Sequence, residues 1–273
     1  PVPGGGGEIP QALVAPGAVK GMFHYRKEFH VAEVHVPYVP RKPFGHLPVQ
    51  AEEILAQQKD VYSLGPIIHN RDVVEELASA GLKTVDSVQQ IPSGTVLIRS
   101  HGVAPDQLAR MQEKGLKIVD ATCVLVKRVQ RIARELDEAG YEVVVIGDRN
   151  HPEVQAVVGC AKDVLVVADE SDLHKLPKNR KLGVVCQTTE SPEYFSRMLG
   201  AIARQDFTEL RVINTLCREA IERQESAVDL CRRVDVMFVL GGLESANTRK
   251  LAELCRQYNP RTFHLQNWKE LDK

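Results

Sequence analysis

Two cysteines stand at the same point of a segment that occurs twice. Lys117-Ile118-Val119-Asp120-Ala121-Thr122-Cys123 is followed by a helical stretch and Val143-Val144-Val145-Ile146-Gly147. Arg211-Val212-Ile213-Asn214-Thr215-Leu216-Cys217 is followed by another and Met237-Phe238-Val239-Leu240-Gly241, 94 positions on and without a gap. Each thiol follows a strand and opens a helix, where unpaired backbone N–H groups and the helix dipole favour the thiolate. Thr122 is placed to cap the first helix, and Asn214 or Thr215 the second. A thiolate is a nucleophile or a metal ligand. Two thiolates on separate repeats, with no Cys-x-x-Cys pair, suit a metal cluster at a domain junction. Cys160, Cys186, Cys231 and Cys255 lie in apolar or helical contexts and read as structural.

The glycine that closes each repeated strand gives a ruler for other polar groups. Four residues past Gly65, Gly147 and Gly241 stand His69, His151 and Ser245; Glu153 and Asn247 follow two places after the last two. A second pair of strands, ending in Ser100-His101 and Gln187-Thr188, matches at an offset of 87. In open parallel sheets ligands bind beyond the carboxyl ends of the strands. Seven polar side chains in shared register therefore predict one cavity lined by His69, His101, His151, Glu153, Thr188, Ser245 and Asn247. Imidazole, hydroxyl and amide groups donate hydrogen bonds to an anion such as a phosphate, and a carboxyl beside a histidine relays a proton.

The elements that must carry these residues alternate. Helices are predicted at 51–58, 70–80, 105–114, 124–139, 152–160, 192–204, 216–233 and 246–257. Strands are predicted at 61–64, 95–99, 117–119, 142–146, 164–167, 183–185 and 235–240. The alternation implies α/β architecture with parallel sheets and helices on both faces. The repeats divide it into three small pseudo-repeated domains around a central cavity, a trefoil: 51–122, 123–213 and an incomplete 214–273. Residues 1–50 are atypical, with 8 of 15 prolines and 4 of 9 histidines. Their prolines argue for loop, edge strand or disorder over regular helix. His24, His30, His35 and His46 lack finger spacing and read as part of a polar irregular segment.

Bulk properties narrow the functional classes. The 273 residues carry a net charge of −1, with 43% hydrophobic and 26% charged residues. That balance gives no global pull toward nucleic acid or membrane. No apolar run approaches the ~20 residues of a bilayer span, and no signal pattern opens the chain. Scattered cysteines fit a reducing, cytoplasmic setting. Dinucleotide and nucleoside-triphosphate loop fingerprints are absent.

In combination and order, Ile68-His69-Asn70, Ser100-His101-Gly102-Val103, Asp120-Ala121-Thr122-Cys123, His151-Pro152-Glu153-Val154, Gln187-Thr188-Thr189 and Ser245-Ala246-Asn247-Thr248 resemble the 4-hydroxy-3-methylbut-2-enyl diphosphate reductase family. That family supplies the last enzyme of the non-mevalonate isoprenoid pathway. The resemblance covers about Ala51 to the end. It implies a trefoil around a [4Fe–4S] cluster held by three cysteines, with Cys123 and Cys217 as two of the ligands. By the same resemblance His69, His101, His151, Ser245 and Asn247 bind the diphosphate or hydroxyl groups. Glu153 is the proton source, assisted by Thr188, and a ferredoxin- or flavodoxin-type protein supplies electrons.

Two departures set this chain apart. The family's first cysteine, in Gly-Phe-Cys-x-Gly-Val, has no counterpart, because no cysteine precedes Cys123. The ruler puts its place at Arg41, and Pro43-Phe44-Gly45 resembles a damaged version of the motif. A shifted reading frame, a mispredicted start or a rearranged gene is one explanation of residues 1–50. The chain also stops at Lys273, before the family's Ala-Ser-x-Pro turn and returning tail. Low or no activity is therefore expected. The alternatives are a cluster-free α/β domain binding a phosphorylated metabolite and a thiol-dependent redox protein.

Overall fold

A computed structural model describes residues 46–272. Its ordered elements are, in sequence, α1 (His46–Gln57), β1 (Val61–Leu64), α2 (Arg71–Ser79), β2 (Lys83–Val85), β3 (Thr95–Ile98), α3 (Pro105–Glu113) and β4 (Lys117–Asp120). Then come α4 (Val124–Glu138), β5 (Glu142–Ile146), α5 (Pro152–Val158), β6 (Leu165–Val167), β7 (Lys181–Cys186), α6 (Pro192–Ile202) and β8 (Glu209–Val212). The last are α7 (Arg218–Cys231), β9 (Met237–Leu240), α8 (Ala246–Tyr258) and β10 (Thr262–Leu265). The expected α/β class holds: every strand pairing is parallel.

Three sheets result. The first two share one topology, β2-β1-β3-β4 and β6-β5-β7-β8, and the third has β10-β9. In each, the opening strand sits beside the strand that follows its helix. Registers such as Val61↔Thr95 and Val143↔Gly183 bring the strand ends level. The continuous apolar runs Val143–Ile146 and Val96–Ile98 are wholly buried, the mark of parallel strands covered on both faces.

Helices pack where their apolar stripes dictate. On α4, Val129, Ile132, Ala133 and Leu136 recur at helical spacing and bury against Val143, Val145 and Val185. The other side of that sheet is filled by Phe195, Met198 and Ile202 of α6. The third sheet is covered by α7 and α8 through Ala227, Cys231, Ala252 and Cys255. On its opposite side Phe238, Leu240 and Phe263 are exposed, and the two phenylalanine rings stack at 5.9 Å. No helix among the described residues is long and apolar enough to cross a membrane.

Three expectations are corrected. Helix α1 begins at His46, inside the segment expected to be irregular; Pro48 is tolerated because it falls in the first turn, where an N–H has no intrahelical partner. The rest of that segment, including His24, His30, His35 and Arg41, lies outside the described residues. Strands β2 and β10 were not predicted. Both are sheet edges, and β2 has an exposed, polar Lys83-Thr84 that carries little apolar signal. Finally, Cys123 and Cys217 themselves occupy the N-cap positions expected of Thr122, Asn214 or Thr215.

Leu136 is 2% exposed and its side chain would sit 2.9 Å from a Cβ at Gly183, so it closes the gap between α4 and β7. Leu136→Ala should lower stability by about 2–5 kcal/mol, seen as a reduced urea midpoint at unchanged slope; an unmoved midpoint would show that this contact does not hold the core.

Candidate active site

The loops that leave the strand ends are built alike. Asp120 and Asn214, matched in the repeat, accept the amides of Thr122 and Leu216 at 2.9 and 3.0 Å. These tight turns aim the chain at the cysteines. The Cys123 amide then donates to the Ser100 carbonyl at 3.0 Å, and the Cys217 amide to the Thr188 carbonyl at 2.8 Å. Each thiol is thus tied to the neighbouring strand end that carries His101 or Thr188. Both cysteines are buried. Burial pushes the Cys123 thiol up, against the pull of the Leu125 and Val126 amides, and the Cys217 and Glu153 charges add to the rise. The amides at the helix start favour the thiolate as expected, but desolvation outweighs them in the protein alone.

The glycine ruler places its residues at helix starts. His69 precedes Asn70, whose side chain caps α2 by accepting from Asp72 and Val73 at 3.1 and 3.4 Å. His151 caps α5, and Ser245 caps α8 by accepting from the Thr248 amide at 3.3 Å. Because the Glu153 amide donates to Nδ1 of His151 at 3.3 Å, the neutral ring carries its proton on Nε2 and can donate it.

Three imidazoles meet. The His69 and His101 rings lie 5.2 Å apart at 61°, and those of His101 and His151 5.3 Å apart at 80°. Burial holds His69 low, aided by Arg99 and opposed by Glu244. Burial, then His151, Arg99 and His69, hold His101 down to about 3. His151 is held to about 4 by burial, then Lys250 and His69, with Asp148 opposing and Arg99 adding least. All three are neutral at pH 7. Nδ1 of His101 is buried without a hydrogen-bond partner. A buried unpaired ring nitrogen is costly, and a ligand oxygen relieves that cost.

Beside them Glu153 is 2% exposed. Its carboxyl accepts the Thr188 amide at 2.7 Å and the Thr188 hydroxyl at 2.8 Å. Burial still pushes it up to about 6, so near neutrality a proton on it is available for transfer. The third unit reaches the cluster through its loop. Gly242 packs so closely on the His69 carbonyl that an added Cβ would lie 1.7 Å from that oxygen. Gln266 donates to Asn70 at 3.3 Å, and Asn267 to Asp72 at 2.8 Å. Lys250 of α8 pairs with the buried Glu190 at 2.5 Å. Ser245 and Asn247 are half-buried at the start of that helix. Among the described residues no hydrogen bond joins them to the imidazoles.

The sequence did not single out Arg99, Glu190, Gly242 or Lys250. Only Gly242 left a trace, as the glycine beside Gly241. A cavity of about 640 Å³ runs along α4, lined by Lys127, Arg131 and Cys160 and by none of the three imidazoles. Among the described residues no group of three or more His, Cys, Asp or Glu side chains is arranged to hold a metal ion.

Known proteins resemble this arrangement. A family model described as LytB protein matches residues 49–273. A 4-hydroxy-3-methylbut-2-enyl diphosphate reductase of Pelobacter propionicus is 45% identical over 223 residues, 81% of this chain and 79% of the relative. One from Geobacter metallireducens is 43% identical over the same shares. Among solved structures, (E)-4-hydroxy-3-methyl-but-2-enyl diphosphate reductase, titled the terminal enzyme of the non-mevalonate pathway, matches with a TM-score of 0.65 and 39% identity over 82% of each chain. The Plasmodium falciparum E-1-hydroxy-2-methyl-but-2-enyl-4-diphosphate reductase matches with a TM-score of 0.76 and 25% identity, covering 83% of this chain and 73% of that one.

Two outcomes test the geometry. An anion among the imidazoles favours their protonated forms and raises values now near 3 and 4. Pyrophosphate binding should therefore take up protons and tighten as pH falls from 8 toward 5. Calorimetry in buffers of different ionisation heat reads this, and proton release would contradict it. Gly242→Ala should force the third unit off the His69 carbonyl, lower the melting temperature and weaken pyrophosphate binding roughly tenfold in the folded protein; unchanged affinity would show the contact does not position His69.

Proposed function

Because the chain belongs to the LytB protein family, we propose that it works as a reductase of the non-mevalonate isoprenoid pathway, with the imidazole cluster as its diphosphate subsite. It is an oxidoreductase whose substrate is the small allylic diphosphate 4-hydroxy-3-methylbut-2-enyl diphosphate. The reaction breaks the allylic carbon–oxygen bond, releases water, takes up electrons and protons, and yields isopentenyl and dimethylallyl diphosphates. The observation that carries the site reading is the edge-on stack of three neutral imidazoles with one buried nitrogen unpaired.

Each residue has a task in this reading. His69, His101 and His151 donate hydrogen bonds to the diphosphate, and Ser245 and Asn247 hold it or the hydroxyl from the third unit. Glu153 delivers the proton that lets the hydroxyl leave as water. The paired Thr188 contacts orient that carboxyl while burial keeps its proton within reach of neutral pH. Electrons come from a ferredoxin- or flavodoxin-type donor, in the cytoplasm.

Reductases of this family carry a [4Fe–4S] cluster. When bound it supplies electrons and a Lewis-acidic iron to the substrate oxygen. Cys123 and Cys217 are the two thiols at equivalent helix starts. Cys186, Cys231 and Cys255 are buried in apolar clusters, and Cys160 donates to the Ala156 carbonyl at 3.2 Å. Two thiols fall short of the three that hold such a cluster, so the described residues do not complete its site. That shortfall favours a second reading, the same anion site in a protein without a cluster.

The two readings separate by iron content. After incubation with iron and sulfide, the chain should carry less than a full cluster and reduce substrate weakly. Full iron content with strong turnover would overturn the two-thiol ligand set. Either reading requires that pyrophosphate compete with the allylic diphosphate and that His69→Ala and His101→Ala each weaken binding roughly tenfold. No binding of either ligand by the parent would sink both.

A further inference from the structure

Thr188, just past β7, holds the Glu153 carboxyl through its amide and its hydroxyl. Two residues on, Glu190 is 6% exposed, and its amide donates to the Gln187 carbonyl at 3.2 Å. One tight turn, 187–190, therefore carries the groups that hold one buried carboxyl and presents a second. Gln187 pins that turn. It is 1% exposed; its Oε1 accepts the Asp148 amide at 3.0 Å and its Nε2 donates to the Thr189 hydroxyl at 2.9 Å. The turn is thereby tied to the loop that leads from β5 to His151.

The third unit meets this turn through α8, whose start bears Ser245 and Asn247. Lys250, five residues after Ser245, places its Nζ 2.5 Å from Oε1 of Glu190. Among the described residues this is the only hydrogen bond or ion pair between α8 and the second unit. Such a pair adds little net stability, because the carboxylate and the ammonium both lose water. It adds direction instead. One ammonium on one carboxylate oxygen fixes the spacing of two elements, as a satisfied polar contact does and loose apolar packing does not. Either charge left alone would be costly to bury.

We propose that Lys250 and Glu190 are a positioning pair, which sets the start of α8, with Ser245 and Asn247, opposite the Thr188-held carboxyl of Glu153. Their role rests on the diphosphate reading of the site. The pair acts through Thr188 on one side and through Ser245 and Asn247 on the other. Its opposite charges also offset each other at Glu153, where Glu190 favours the protonated carboxyl and Lys250 the ionised one. The same lysine disfavours a charged His151. The thiols of Cys123 and Cys186 are the other titratable groups that sense Glu153. Removing one member of the pair therefore changes both the placing of α8 and the balance of charge at the proton donor, and removing both changes only the placing.

The test uses the full chain, with calorimetry for inorganic pyrophosphate and NMR titration of carbon-13-labelled glutamate side chains. Lys250→Met should raise the Glu153 midpoint above its parent value of about 6, and Glu190→Gln should lower it. The double variant should bring the midpoint back toward the parent. A contact that is merely structural would move both single variants the same way. All three variants should weaken pyrophosphate binding roughly tenfold, and Lys250→Arg, which keeps the pair, should restore most of that loss. In the parent, the Lys250 ammonium should stay bonded to Glu190 when pyrophosphate is added, a reading that needs no variant to fold. Its transfer to pyrophosphate would overturn the proposal by making Lys250 a direct ligand. Parent-like affinity in the folded variants, or Glu153 midpoints that move together, would overturn the positioning role and leave the imidazole subsite standing. Failure of the parent to bind pyrophosphate would overturn the diphosphate reading and the role of the pair with it.

Discussion

A parallel strand pair can be joined only by a crossover that returns over the sheet. Every strand of one sheet therefore releases its carboxyl end at the same edge, and every following helix begins there. This chain obeys that constraint in three sheets. The consequence is chemical. His69, His101, Cys123, His151, Thr188, Cys217 and Ser245 all stand at the carboxyl ends of strands, most of them where a helix is about to start. The turns made by Asp120 and Asn214, and the bonds from the cysteine amides to Ser100 and Thr188, are the local means by which that edge is kept in register.

The same convergence removes water, and burial then decides the charge state of each group. Imidazoles become neutral, the Glu153 carboxyl holds its proton longer, and the Cys123 thiol resists ionisation. Each group is moved away from its charged form, which leaves a site of hydrogen-bond donors and a stored proton. Such a site is short of positive charge for an anionic ligand. Contacts at the edge of the site hold the third unit to both others: Gly242 on the His69 carbonyl and Lys250 on Glu190.

Much of this was legible because repeats align in one dimension what the fold aligns in three. The 94-residue offset and the glycine ruler found His69, His151 and Ser245 at equivalent helix starts. Alternating elements were legible from apolar runs such as Val143–Ile146. What escaped lacked a periodic signal. The edge strands β2 and β10 are short, and Lys83 and Thr84 face water. The start of α1 was hidden by prolines that a first helical turn accepts. Glu190 and Lys250 are sixty residues apart and unremarkable singly.

By itself the sequence determined the parallel α/β class, the repeated thiols, the family and the set of polar strand ends, because each depends on local pattern or residue order. It also showed that no cysteine precedes Cys123. Tertiary structure alone decided that the three imidazoles stack edge to edge and that Glu153 is sealed against Thr188. Those are matters of desolvation and distance between segments far apart in the chain, and both arise only when the strand ends have met.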